Sequence, residues 1–90
     1  MSLQITTIKD TIIAKGSLNA STVNSFKEHI NYLFSSGKSV NLNLDKLSNI
    51  DNNGLFAIYK LVKDSSAKNQ RLIMVGKKSS EVFSSIAQFV

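Results

Sequence analysis

The sequence predicts an α/β fold: a mixed sheet of about four strands in the order β-β-α-β-α-β-α, with helices mainly on one face. Three observations predict it. An opening stretch rich in β-branched residues is interrupted at Lys9-Asp10, which reads as a hairpin. Beyond it, segments with helical spacing alternate with short apolar runs, the pattern of parallel strands joined by right-handed crossovers. Finally, Val40, Leu42 and Leu44 alternate strictly with Asn41, Asn43 and Asp45, so this strand has one apolar face and one wet face.

The elements follow in order. Leu3, Ile5 and Thr7 alternate with their neighbours, and Thr11 to Leu18 supplies the second arm of the hairpin. Val23, Phe26, Ile30 and Leu33 then recur at helical steps, with Ser21 placed to cap the helix and Gly37 to end it. After the Val40 strand, Leu47 to Asp51 reads as a short connection. Leu55, Ile58, Tyr59 and Val62 mark the buried stripe of a second helix running to roughly Lys68. Arg71 to Val75 is a compact apolar strand, and Ser79 starts a last helix whose stripe is Val82, Phe83, Ile86 and Phe89.

Composition bounds the function. Ninety residues, 42% of them apolar and 19% charged, with four glycines and no proline, fit one globular domain over residues 1–90. The absence of cysteine and a single histidine exclude disulfides, thiol nucleophiles and Cys/His zinc sites, so neither a metal nor a cofactor is expected. No stretch is apolar enough to span a bilayer, and no basic segment precedes a hydrophobic run. A soluble, cytoplasmic protein without direct membrane insertion is expected. The formal charge of +5 raises the question of nucleic acid, but the lysines are spread from Lys9 to Lys78 with no aromatic residues interleaved at stacking spacing. Nucleic acid is therefore not an expected partner.

The segment from Val40 to Leu55, ending in Asp51-Asn52-Asn53-Gly54-Leu55, resembles the signature of STAS domains, the sulfate-transporter and anti-sigma-factor-antagonist family. Gly16-Ser17-Leu18-Asn19 is similar to the stretch that precedes the family's first helix, and the order of elements agrees along nearly the whole chain. The resemblance implies a non-enzymatic interaction module, similar to small anti-sigma-factor antagonists, that docks a protein partner such as an anti-sigma factor with serine-kinase character. Its docking surface would be the loop and helix start at Asn49, Asp51, Asn52, Asn53, Gly54 and Phe56. A regulatory subunit of a membrane transporter, for anions or lipids, is the alternative that the same family offers.

The resemblance also implies a Ser or Thr after the aspartate as phosphoacceptor, and here that position is Asn52, which has no hydroxyl to modify. Many family members continue with a further element where this sequence ends at Val90, which predicts a smaller partner surface. From the residues alone, Asp51 is a helix cap, a role compatible with an interface. Phe56 lies off the buried stripe, as either a docking residue or a second core contact. Asp45 and Asp51 flank one loop, but no nucleophile, phosphate loop or cofactor fingerprint accompanies them, and His29 has no partner for a triad. Catalysis is not expected. Lys77-Lys78 precede a helix start, where positive charge opposes the dipole.

Overall fold

The structure is a computed structural model that describes residues 2–37, 39–68 and 70–89. Its elements are β1 (Leu3–Ile8), β2 (Thr11–Leu18), α1 (Val23–Ser35), β3 (Val40–Asn43), β4 (Leu47–Ile50), α2 (Asn52–Ala67), β5 (Leu72–Val75) and α3 (Ser79–Ile86), followed by a 3₁₀ turn at Ala87–Phe89. The expected architecture is present, with one strand more than the four anticipated.

β1 and β2 pair antiparallel through the Lys9-Asp10 turn, where Lys9 takes a left-handed conformation with φ 55°. β2 pairs in parallel with β3 over Thr11 to Ile13 and with β4 over Gly16 to Leu18, and β3 pairs in parallel with β5. Chain segment 40–50 thus runs along one side of β2, interrupted at Leu44 to Lys46. Leu47 to Ile50, expected as a connection, is the fifth strand. Its pattern hid it: the register steps from Gly16↔Leu47 to Ser17↔Asn49, so Ser48 is an extra, bulged residue. Ser48 and Asn49 both face solvent, and the alternation that identifies a strand is lost.

The two successive crossovers, α1 and α2, run in the same direction and lie on the same face of the sheet. There Ile12, Ala14 and Leu18 of β2 and Val40, Leu42 and Leu44 meet Phe26, Ile30 and Phe34 of α1, Ile58 and Leu61 of α2, and Val82 and Ile86 of α3. Asn41 and Asn43 occupy the opposite, half-covered face, as the alternation predicts.

Local details differ from the sequence reading in four places. On α1 the buried face is Phe26, Ile30 and Phe34, while Leu33 is only partly covered. Ser21 does not cap α1. Thr22 occupies the cap position without a side-chain cap bond, and Asn19 orders the entry instead: its Oδ1 accepts from the Ser21 amide at 2.9 Å, and its carbonyl from the Val23 amide at 2.9 Å. The buried face of α2 is Gly54, Ala57, Ile58, Leu61 and Ser65, while Leu55, Tyr59 and Val62 are only partly covered. Gly54, Ala57 and Ser65 carry little or no apolar bulk for a periodicity to register, yet their small size lets the helix axis approach the sheet. Phe83, assigned to the α3 stripe, is exposed, and only Val82 and Ile86 of that helix are buried.

Candidate functional site

β4 ends at Ile50 and the chain turns directly into α2. Asp51 is extended (φ −101°, ψ −175°), and its carboxylate accepts the Gly54 amide at 3.0 Å, satisfying one of the free N–H groups at the helix start. Its own amide donates to the Leu18 carbonyl at 3.2 Å, and its carbonyl accepts from the Leu55 amide at 2.9 Å. The turn is therefore fastened to the end of β2 as well as to its own helix.

Gly54 is buried where α2 crosses the sheet. A Cβ there would lie 2.8 Å from the Leu18 carbonyl oxygen and 2.9 Å from both the Leu18 and Ile50 side chains. The glycine of the D-x-x-G-L segment is thus required by close backbone approach, and has no side chain to offer a partner. Asn52 and Asn53 stand exposed side by side at the helix start, with Asn49 exposed on the adjoining β4. Asn53 Nδ2 reaches the second Asp51 oxygen at 3.5 Å. Of the six residues expected to form the docking surface, Asn49, Asn52 and Asn53 are free to touch a partner. Asp51 is half-buried and fixed as a cap, and Gly54 supports from below.

Phe56 is 48% exposed, one turn along α2 from Asn52. It is neither isolated nor in the core: its ring meets Phe89 edge-on at 5.3 Å and Tyr59 at 6.1 Å, and Tyr59 and Phe89 are 5.8 Å apart. This three-ring cluster was not read from the sequence, since Phe89 was assigned to a core stripe. Its members are 30 to 33 residues apart in part, and only the packing of α3 beside α2 brings them together.

A second helix start lies beside the first. The Asp45 carboxylate accepts the Lys78 amide at 2.8 Å and the Lys77 amide at 2.9 Å. These two backbone bonds, Lys78's first, and the nearby lysine charges hold the Asp45 carboxyl below the usual aspartate range. Gly76 (φ 95°) makes this possible, for a Cβ there would meet the Asp45 carboxylate at 2.6 Å. Lys78 Nζ donates to the Leu47 carbonyl at 2.6 Å. The lysine pair at the α3 start is thereby explained: it faces an aspartate from the β3–β4 connection, and one of its side chains anchors β4. Asp45 and Asp51 both accept backbone amides, each at a different helix start.

Between β4 and α3 runs a shallow groove of about 270 Å³, with Leu47, Ile50 and Val82 on its floor and Ser48, Asn49 and Lys78 on its rim. It continues past Ile50 toward Leu55, Glu81 and Ser85. His29 is exposed on α1, and no group of three His, Asp or Glu side chains able to hold a metal occurs among the described residues. No helix among them is long and apolar enough to cross a membrane.

A mixed sheet with three helices on one face and an aspartate-capped helix start at the end of a parallel strand defines a STAS-type domain. The STAS domain family matches residues 2–83, and the chain belongs to that family. Among solved structures, the anti-sigma factor antagonist SpoIIAA in its unphosphorylated form is similar in fold, with a TM-score of 0.67 and 18% identity over 98% of this chain and 83% of that one. The phosphorylated form of SpoIIAA, a Bacillus cell fate determinant, gives a TM-score of 0.66 and 18% identity over 97% of this chain and 81% of its own. Mglu is also similar, with a TM-score of 0.66 and 18% identity over 84% of this chain, which spans only 20% of the Mglu chain. Among curated proteins, no sequence matches this one.

Proposed function

We propose that the chain is a non-enzymatic protein-interaction module that resembles an anti-sigma-factor antagonist and docks its partner through the β4–α2 turn. The observation that carries this reading is the form of the turn. A helix start held by Asp51 and Gly54 presents Asn52 and Asn53 outward, with the half-exposed Phe56 one turn away. Such a surface is rigid before binding, which lowers the ordering cost of association. Membership of the STAS family and the likeness in fold to SpoIIAA support the choice of a protein partner of the anti-sigma-factor type.

In this reading Asn52 occupies the position of the family's phosphoacceptor. An amide cannot accept a phosphoryl group, so the surface stays in its uncharged, binding-competent form. Calorimetric titration of the purified partner, identified by capture on the intact chain, tests the proposal. Asn52→Asp places negative charge at the contact and is expected to weaken binding by about 1–3 kcal/mol, whereas Lys68→Glu at the far end of α2 changes it little. Equal affinities for Asn52→Asp and the unaltered protein would remove the turn from the interface.

A further inference from the structure

We propose that the ring cluster of Phe56, Tyr59 and Phe89, flanked by Lys60 and Lys63, docks an acidic segment of the protein partner that carries an apolar anchor residue. The inference rests on the reading of the α2 start as the partner surface and names the chemistry of what binds there. Asn52, Phe56, Lys60 and Lys63 succeed one another at steps of four, four and three along one side of α2, with Asn52, Phe56 and Lys63 exposed and Lys60 half-buried at the edge toward α1. The stripe carries two cations and no acid. Asp64, the acidic residue of this helix, lies further round, in the cleft toward α1 that Lys60 also borders, and there it stands among Lys27, Lys60 and Lys68, so cations outnumber it.

Lys63 Nζ lies 6.0 Å from the centre of the Tyr59 ring, so positive charge stands at the edge of the apolar patch. Phe56 retains 48% of its exposure despite two ring contacts. A partner side chain covering it removes apolar surface from water, while carboxylates on either side meet the lysine heads. The rings favour a protein over the other anionic partners. Phe56 and Phe89 pack at 75° to each other, which leaves no pair of open parallel faces for stacking bases. All three rings lean on one another and are partly covered, so none projects as a wedge into a bilayer.

The test uses the intact chain and two synthetic amphipathic helices with the same leucine face, one with glutamate and one with lysine at the polar positions, alongside vesicles of phosphatidylcholine and phosphatidylglycerol. The glutamate peptide is expected to shift the amide resonances of residues 56–63 and 87–89. Its affinity should fall about tenfold in the double variant Lys60→Glu, Lys63→Glu. The remote pair Lys9→Glu, Lys15→Glu, exposed on the β1–β2 hairpin, changes net charge equally and should alter affinity less than about twofold, because distant exposed charges are screened. Equal losses in the two double variants, equal binding of the two peptides, shifts confined to another surface, or binding to vesicles but not to the glutamate peptide would each overturn the proposal. Against the captured partner, weakening by Asn52→Asp without weakening by Lys60→Glu, Lys63→Glu overturns the ring cluster and leaves the turn standing. The reverse result supports the ring cluster and removes the turn.

Discussion

The starts of α2 and α3 solve one problem by different means. Each leaves backbone N–H groups without helical acceptors, and each is met by an aspartate from the segment that runs beside β2. Asp51 acts across three residues, on the Gly54 amide of its own turn. Asp45 acts across 32 and 33 residues, on the amides of Lys77 and Lys78. The glycines differ in the same sense: Gly54 makes room for the sheet beneath its helix, Gly76 for the aspartate that reaches over from the β3–β4 connection. A local cap fixes the shape of one turn. A long-range cap joins two parts of the fold, and here it ties α3 to the strand pair that carries the candidate docking turn.

The largest expected effect is at Gly54. Gly54→Ala would force a methyl against the Leu18 carbonyl, which is backbone and cannot swing aside, so the loss should be about 1–3 kcal/mol by chemical denaturation. An unchanged midpoint would mean that α2 lies farther from β2 than the structure has it. Asp51→Ala should cost less, about 1 kcal/mol, the ordinary value of a helix cap. A loss near zero would show that the turn is held by the backbone bonds of Asp51 to Leu18 and Leu55 rather than by its carboxylate.

Asp45 sharpens the comparison through pH. Its carboxyl is held below the ordinary aspartate value of about 3.9, so its contribution is fully present above that value and fades as pH falls through the lower value of the folded state. Because the group lies near the surface, water screens the effect, which should be smaller than that of Asp51→Ala. Asp45→Asn is expected to melt below the unaltered protein at neutral pH and to converge with it as both are acidified. Parallel melting curves across the acid range would show that its carboxylate is not ionised against the Lys77 and Lys78 amides.

The same contrast explains what was legible in the sequence. The order of strands and helices, the one-sided packing of Val40, Leu42 and Leu44, and the cap at Asp51 are all set by neighbours within a few positions, where periodicity and capping patterns operate. β4 was missed because the bulge at Ser48 abolishes its alternation. The inner face of α2 is turned from the expected stripe: Gly54, Ala57 and Ser65 bury through closeness rather than apolar bulk, and Leu61, on their side of the helix, is buried where Tyr59 and Val62 are only partly covered. Asp45 over Lys77-Lys78, and Phe89 against Phe56, depend on how α3 comes to rest beside α2 and the β3–β4 connection. No local pattern encodes either contact, although a lysine pair placed against the dipole of its helix was a signal that an anion stood nearby.

The smallest expected effect on the fold is at Asn52, and its smallness matters most for function. The side chain is exposed, and α2 is already capped by the residue before it. In Asn52→Asp the new carboxylate faces the positive end of the helix dipole, a favourable placement, but lies close to Asp51, an unfavourable one. The two terms oppose each other at a solvated site, so the change in unfolding free energy should stay within about 0.5 kcal/mol. Thermal and denaturant melts of the variant decide this directly. A loss approaching that of Asp51→Ala would show that the Asn52 amide supports the turn, and any weakening of partner binding would then be a consequence of the fold. A stable Asn52→Asp that binds poorly separates the two, as expected of a residue that contacts the partner and leaves the holding of the helix start to Asp51 and Gly54.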